Sequence, residues 1–289
     1  MDTRRARDAA DRRFAMAVRR FRARRSTEVR EEPLRLVSTA GYQLDAHLHR
    51  PAEPPPGPLP AVVLCPGIDH PGTVFDTLAA PVTADEIARL GCLVLHFDPA
   101  GRGQSWGEED YGGAEHQDDV ATAVSWLGGR PDVDPHRVGI LAISLGVGMA
   151  VGAVARCGAE AAWLIDWEGP CAREIITSGG KIMTPAQGHT LDDDVYWRPR
   201  EAVRHVPRLT CPYVRLQAER DHAQPGELRH ATRMIHAAAS GSLPWFQLND
   251  HPRGEVPPRP QWLANGHLAA NKAILRKIRA LLQEKRQDR

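Results

Sequence analysis

The sequence lacks several features that would assign the protein to a specialised class. No apolar run approaches the roughly 18 residues of a membrane-spanning helix, and no apolar segment follows the basic N-terminus as in a secretory signal. There is no CxxC pair, and the five cysteines are an odd number for a disulfide framework. Cys65, Cys92 and Cys211 lie in or beside apolar runs, where free thiols behave as small hydrophobes. These absences predict a reduced, cytoplasmic protein with no integral membrane segment.

The chain also lacks a strong net charge, since 37 basic residues face 36 acidic ones. This balance argues against nucleic acid as a partner. The charge is uneven, however, because residues 1–30 contain eleven arginines and four acidic residues. Phe14, Val18 and Phe21 form a narrow apolar stripe there at helical spacing. We predict an Arg-rich helical extension over residues 1–33 that packs on the domain or on a homodimer partner, with a membrane-surface contact, a nucleic-acid contact or a partly disordered tail as alternatives.

Alternating strand and helix patterns fill the rest of the sequence. Apolar runs of strand length occur at 61–65, 92–97, 138–143, 161–166, 211–217 and 243–248, and helical patterns at 73–90, 115–127, 226–239 and 268–283. This alternation predicts an α/β fold with a mostly parallel, doubly wound sheet covered by helices on both faces. Two strands between residues 34 and 51, with no helix between them, predict an antiparallel edge.

Two histidines in the second of these edge strands have the spacing of metal ligands. His47 and His49 alternate onto one strand face, but no third ligand is evident beside them. We therefore predict no metal site and no organic cofactor.

The stretch from Val138 to Val154 predicts a sharp turn from strand into helix with Ser144 at the corner. Its apolar run ends at Ile143, and a series of small residues follows it. Strand and helix nearly collide at such a corner, so the positions two before and two after the serine must be small. Those positions are Ala142 and Gly146. The motif is therefore A-I-S-L-G, a variant of the G-x-S-x-G nucleophile elbow.

A serine at this corner needs a base and an acid to act as a nucleophile. Active sites of open parallel sheets collect at the carboxyl ends of the strands. Asp221 follows the 211–217 strand and is our predicted acid, with Asp166 as an alternative after an earlier strand. His267 precedes the last helix and is our predicted base, whereas His251 at the end of the 243–248 strand is the competing choice. Ser, Asp and His then follow in that order along the chain.

Four segments together resemble the α/β-hydrolase superfamily over roughly residues 34–285. They are the elbow AISLG, the loop DPAGRGQS, the loop after the strand AVVLC, and the turn AERDHAQP. The order and spacing of the four are more specific than any one of them. The resemblance implies that the amides of Leu145 and Ile68 form an oxyanion hole. It also implies a division into an extension at 1–33, a core at 34–166 and 208–289, and a cap-like insertion at 167–207.

The resemblance and the predicted triad imply a serine hydrolase that cleaves a small carboxylic ester through an acyl-enzyme intermediate. A peptidase of the acylaminoacyl or dipeptidyl type uses the same chemistry and is the first alternative. Acyl transfer or cyclisation on a thioester is the second. A non-catalytic ligand-binding protein of the same fold is the third, although such a protein has no need for a triad.

Overall fold

The computed structural model describes residues 29–178, 189–222 and 228–284. A single eight-stranded sheet forms the centre of this part of the chain. Its strands are β1 Val29–Val37, β2 Gln43–Pro51, β3 Leu59–Cys65, β4 Leu93–Phe97, β5 Val133–Ile143, β6 Trp163–Trp167, β7 Tyr213–Leu216 and β8 Phe246–Leu248. The helices are α1 Ala84–Ala88, α2 Ala114–Gly128, α3 Gly146–Ala155, α4 Arg173–Ser178, α5 Asp194–Trp197, α6 Ala202–His205, α7 Arg229–Ala239 and α8 His267–Gln283. Short 3₁₀ helices cover Gly72–Asp76, Arg198–Arg200 and Val206–Arg208.

The sheet is parallel except at one edge. Its strand order is β1-β2-β4-β3-β5-β6-β7-β8, with β1 antiparallel to β2 and β2 antiparallel to β4. All the other neighbouring pairs run parallel. The predicted α/β class, the parallel sheet and the antiparallel edge are therefore confirmed.

Strict alternation of side chains along β3 divides the core into two layers. Ala61, Val63 and Cys65 pack with residues of α2, α3 and α7 on one face of the sheet. Val62 and Leu64 pack with residues of α1 and α8 on the other face. Both faces are buried, which is why the strands from β3 onward are continuous apolar runs and not alternating ones.

Two predicted elements differ from those observed. The helical pattern at 73–90 splits into the 3₁₀ helix Gly72–Asp76 and the short helix α1, with Pro81 in the connection between them. The first strand begins at Val29, so residues 29–33 belong to β1 and not to a preceding helix. Residues 1–28, which contain the predicted arginine-rich helix, lie outside the described residues.

The segment between β6 and β7 contains the short helices α4, α5 and α6. Its treatment as a cap remains a prediction, as does the division of the chain at residues 166 and 208. Within the described residues, no helix combines the length and the apolar character needed to cross a membrane.

Candidate active site

Ser144 lies at a strained corner between β5 and α3. Its φ of 52° is in the left-handed region, which a non-glycine residue adopts only at an energetic cost. The Ser144 amide donates to the Trp167 carbonyl oxygen at 2.9 Å and so ties the corner to the end of β6. A Cβ atom at Gly146 would lie 2.4 Å from the Pro66 carbonyl oxygen, so only glycine fits there. The elbow geometry predicted from A-I-S-L-G is present.

A continuous hydrogen-bonded chain runs from this serine through His222 to Glu168. The Ser144 Oγ lies 2.9 Å from His222 Nε2, and His222 Nδ1 lies 2.8 Å from Glu168 Oε2. An ionised carboxylate only accepts hydrogen bonds, so Nδ1 carries the proton and Nε2 presents its lone pair to the serine hydroxyl. The three side chains have the connectivity of a nucleophile, a base and an orienting acid.

Glu168 is held rigidly where β6 ends. Its side chain is 1% exposed, and its φ of 52° makes it a second strained non-glycine residue beside the serine. Oε1 accepts from the Ala218 amide at 2.9 Å, and Oε2 also accepts from the His222 amide at 3.0 Å. The carboxylate therefore binds both the backbone and the ring of the histidine.

The His222 ring lies between its polar partners and one aromatic neighbour. It stacks on Trp167 with 4.6 Å between ring centroids and 27° between ring planes. Its side chain is 31% exposed, so one part of the ring still faces solvent. Stacking and two hydrogen bonds fix the ring with its Nε2 on the serine.

Asp221, our predicted acid, lies next to this chain but not in it. Its Oδ1 is 3.7 Å from His222 Nδ1, which is longer than a hydrogen bond. Its Oδ2 accepts from Gln217 Nε2 at 3.1 Å and lies 3.2 Å from His230 Nε2. The carboxylate thus adds negative charge near the base without orienting its ring.

The alternative acid, Asp166, is bound in the core. It accepts from Arg215 Nη1 at 2.9 Å, from the Tyr213 hydroxyl at 2.5 Å and from the Gly169 amide at 2.9 Å. Both charged partners are completely buried. The Asp166 carboxylate therefore joins β6 to β7 and has no hydrogen bond to His222.

The structure does not bring either predicted histidine onto the serine. His267 is the first residue of α8, and its Nε2 hydrogen-bonds the Ala80 carbonyl oxygen at 2.7 Å. His251 Nε2 accepts from the Gln261 amide at 2.8 Å. Each ring nitrogen that would have to face Ser144 is engaged in a loop contact instead. His222 takes that position.

The two amides of the predicted oxyanion hole lie on the segments that meet at Ser144. Leu145 follows the serine, and Ile68 belongs to the loop after β3. A Cβ at Gly67 would lie 3.2 Å from the Ser144 Cβ, so this loop passes directly over the nucleophile. Among the described residues, none accepts a hydrogen bond from either amide. Neither amide is therefore committed to another group in the described part of the chain.

Arg102 fixes the loop that carries Ile68. This buried side chain donates to the Gly67 carbonyl oxygen at 2.6 Å and forms a bidentate pair with Glu109 at 2.6 and 2.8 Å. Burial, and then the positive charge of Arg102, lower the pKa of His116 to about 4, so that neighbouring ring stays neutral. The D-P-A-G-R-G-Q-S loop therefore supports the site without reaching into it.

A small apolar cluster surrounds the residue after the nucleophile. Leu145 packs with Ile176 of α4 and Trp197 of α5, and with Ile68 and Tyr196 at its margin. Ile176 and Trp197 are 3% and 1% exposed. The segment between β6 and β7 thus packs its apolar side chains onto the elbow.

Two groups of side chains in the described residues bring potential metal ligands within 4.8 Å of one another. One consists of Glu168, Asp221 and His222, in which the ring of His222 already hydrogen-bonds both Glu168 and Ser144. The other is the buried group His49, Asp76 and His96.

Comparison with known proteins agrees with this architecture. The sequence profile of the X-Pro dipeptidyl-peptidase (S15 family) matches residues 40–181, just under half of the chain. That stretch includes Ser144 and Glu168 but ends before His222. No curated protein matches the sequence significantly.

Solved structures are similar in fold at low sequence identity. An esterase from Pyrococcus furiosus is 14% identical with a TM-score of 0.66, covering 91% of this chain and 94% of that one. An acetyl xylan esterase from Paenibacillus sp. R4 is 15% identical with a TM-score of 0.59, covering 88% and 84%. Dipeptidyl peptidase 4 from Porphyromonas gingivalis is 16% identical with a TM-score of 0.66, covering 89% of this chain but 36% of the peptidase. The chain has the α/β-hydrolase fold, as the predicted resemblance implied.

Two residues of the hydrogen-bonded chain escaped the sequence analysis although a signal pointed to each. Glu168 follows β6 directly, at the carboxyl end of a parallel strand, which is where acids were sought. His222 adjoins Asp221 in the loop after β7, yet only the aspartate was selected there. The preference for a histidine after the last strand led us away from His222. The choice of Asp221 and Asp166 as candidate acids led us away from Glu168.

Proposed function

We propose that the protein is a serine hydrolase in which Ser144 is the nucleophile, His222 the general base and Glu168 the residue that orients the base. The observation that carries this proposal is the unbroken hydrogen-bonded chain from Ser144 Oγ through His222 to Glu168 Oε2, with links of 2.9 and 2.8 Å. This assignment replaces His267 and Asp221 in our predicted triad and keeps Ser144, Leu145 and Ile68.

The reaction follows from the positions of these groups. As Ser144 Oγ attacks the substrate carbonyl carbon, its proton passes to His222 Nε2. The amides of Leu145 and Ile68 donate to the oxyanion that forms, and one such donor contributes about 3 kcal/mol to the transition state in comparable enzymes. His222 then gives its proton to the leaving oxygen or nitrogen, and an acyl-enzyme remains. A water molecule, deprotonated by His222, then attacks the carbonyl carbon of the acyl-enzyme. This step releases the carboxylic acid and regenerates the Ser144 hydroxyl.

A carboxylic ester is the substrate class that we favour. The similarity to the Pyrococcus furiosus esterase spans 94% of that protein, whereas the similarity to the Porphyromonas gingivalis peptidase spans 36% of it. The fold that is shared is therefore the whole of the esterase and only a part of the peptidase. The apolar cluster around Leu145 suits an uncharged acyl group.

A peptidase of the dipeptidyl type is the second candidate, because the matching sequence profile is that of the X-Pro dipeptidyl-peptidase. Both candidates share the acyl-enzyme step and differ in the leaving group. A cytoplasmic location and a homodimer stay predictions.

Labelling with a fluorophosphonate probe tests the proposal. We expect stoichiometric labelling of the wild type, none of Ser144→Ala, and a loss on the order of 10³-fold or more in labelling rate for His222→Ala. His267→Ala and His251→Ala are the matched controls and should label as the wild type does. Labelling that survives in His222→Ala and disappears in His267→Ala would instead restore our original base.

Substrate class is tested separately on the unlabelled enzyme. Hydrolysis rates are compared for p-nitrophenyl esters of short acids and for X-Pro p-nitroanilides. Ester turnover with little anilide turnover supports the favoured class. The opposite preference would identify the dipeptidyl-peptidase alternative, with the same triad.

A further inference from the structure

The second group of histidine and carboxylate side chains forms a compact buried cluster, outside the hydrogen-bonded chain that contains Ser144. His49 comes from β2, His96 from the adjacent strand β4, and Asp76 ends the 3₁₀ helix Gly72–Asp76. Their side chains are 3%, 0% and 4% exposed. Residues separated by up to 47 positions in sequence thus place three polar side chains together in the core.

The three facing atoms form a nearly equilateral triangle. His49 Nε2 and His96 Nε2 are 3.1 Å apart, and Asp76 Oδ1 lies 3.0 Å from the second and 3.3 Å from the first. A tetrahedral zinc ion with ligands at about 2.0–2.1 Å has ligand-to-ligand edges of about 3.3 Å. The observed triangle therefore matches one face of such a tetrahedron to within a few tenths of an ångström.

Hydrogen bonds alone do not satisfy all three facing atoms, whichever nitrogen carries a proton. If both imidazole Nε2 atoms carry protons for the Asp76 carboxylate, two N–H donors face each other across 3.1 Å. If one nitrogen accepts from the other, it can no longer donate to the carboxylate. A cation at the centre uses the lone pairs of all three atoms at once.

The surroundings of His49 are those of a metal-ligating histidine. Its other nitrogen, Nδ1, lies 2.9 Å from Asp85 Oδ1, the carboxylate–histidine pattern that fixes the tautomer and orients the ring toward a metal. The His96 ring is oriented by packing, because it stacks on His47 at 5.1 Å and 13° and lies 6.4 Å from Phe75.

We propose that His49 Nε2, His96 Nε2 and Asp76 Oδ1 bind a divalent transition metal ion, with zinc as the best fit. Two imidazoles and a carboxylate suit zinc, and a water molecule would complete the tetrahedron. The role of the ion would be structural, since it would clamp the 3₁₀ helix to β2 and β4. This helix directly follows the loop that carries Ile68, and its first amide, on Gly72, donates to Asp98 just beyond β4 at 2.8 Å. The proposal is independent of the proposed reaction.

Zinc binding by the full-length protein tests the site. Protein stripped with a chelator and dialysed against zinc chloride should retain one zinc ion per chain by plasma mass spectrometry, and zinc should raise its melting temperature. Cobalt, used as a spectroscopic probe, should give the intense visible absorption of a tetrahedral ion. Asp76→Asn and His96→Gln should abolish stoichiometric retention.

Two further variants separate a metal site from a merely buried polar cluster. Asp85→Asn leaves all three ligands in place and should weaken zinc binding by about 10–100-fold. His236→Gln removes an exposed histidine of α7, on the opposite face of the sheet, and it should bind zinc as the wild type does. Asp85 is 30% exposed, so this variant remains informative if the core variants fail to fold. A wild type that retains no stoichiometric zinc, or equal zinc affinity in Asp85→Asn and wild type, would overturn the proposal.

Discussion

At the scale of single residues, the site contains two carboxylates within reach of one histidine. Glu168 is hydrogen-bonded to both the ring and the amide of His222, whereas Asp221 Oδ1 is 3.7 Å from the ring. The two acids should therefore contribute unequally: Glu168 would fix the tautomer, and Asp221 would add only a nearby negative charge.

Glu168→Gln and Asp221→Asn measure this inequality, because each substitution removes a charge and keeps the shape. We expect Glu168→Gln to lower kcat by about 10²–10⁴-fold, because the amide no longer holds the proton on Nδ1. Asp221→Asn should lower kcat by about tenfold or less. Steady-state hydrolysis of a p-nitrophenyl ester gives both values. A larger loss in Asp221→Asn than in Glu168→Gln would make Asp221 the acid.

At this scale the strained corner at Ser144 was predictable, because the local sequence determines its geometry. Ser144 was identified because A-I-S-L-G requires small neighbours on both sides, and these requirements are local. His222 was missed because its role depends on how far the loop after β7 folds back over the sheet, which neighbouring residues in the sequence do not determine. Glu168 was missed because its left-handed φ turns the side chain toward the site only after β6 has been placed.

At the scale of elements, α3 approaches the loop after β3 very closely beside the nucleophile. A Cβ at Gly146 would lie 2.4 Å from the Pro66 carbonyl oxygen and 2.7 Å from that of Cys65. Both obstacles are backbone atoms, so neither can move aside without shifting the oxyanion loop.

Gly146→Ala should therefore destabilise the protein by about 1–3 kcal/mol and also reduce the rate of probe labelling. Gly128→Ala is the matched control, since a Cβ there meets only the Pro135 side chain at 3.9 Å at the end of α2. That control should be neutral or stabilising by up to about 1 kcal/mol. Urea denaturation curves give both free energies. Equal effects of the two substitutions would contradict the steric argument.

Element types were predictable because both faces of the sheet are covered. The buried strands are continuous apolar runs, and the first two strands carry no helix between them, which indicated the antiparallel edge. The pattern at 73–90 was less informative because apolar residues there serve two short segments on either side of Pro81. The spacing of apolar residues over the whole stretch does not show that the chain changes direction at Pro81.

At the scale of the whole molecule, a buried carboxylate connects three separate parts of the fold. Asp119 of α2 accepts from the Tyr42 hydroxyl at 2.8 Å and from the Ala100 amide at 2.9 Å. Burial, with added repulsion from Glu115 and Asp118, raises the pKa of Asp119 to about 7.

This raised pKa gives a contribution to stability that falls as the pH rises. The folded chain keeps the Asp119 proton up to about pH 7, while the unfolded chain loses it near pH 4, so the contribution of Asp119 decreases between these values. Asp119→Asn should remove this loss and exceed the wild type by up to about 4 kcal/mol above pH 7, with no advantage below pH 4. Urea denaturation over that range measures it. Asp192→Asn, at an exposed aspartate that does not act on Asp119, should follow the pH dependence of the wild type, and an Asp119→Asn advantage that does not vary with pH would refute the argument.

The position of His222 along the chain has a consequence for how this protein can change. With the base in the loop after β7, every proposed catalytic group is encoded before residue 223, and the last quarter of the sequence supplies packing through α7, β8 and α8. The proposed catalytic groups and this packing segment thus occupy separate stretches of the sequence. The final stretch should therefore tolerate exchange with related chains, provided that its apolar faces still cover the sheet and that Asn249 and Asn265 still bind the loop that carries His222.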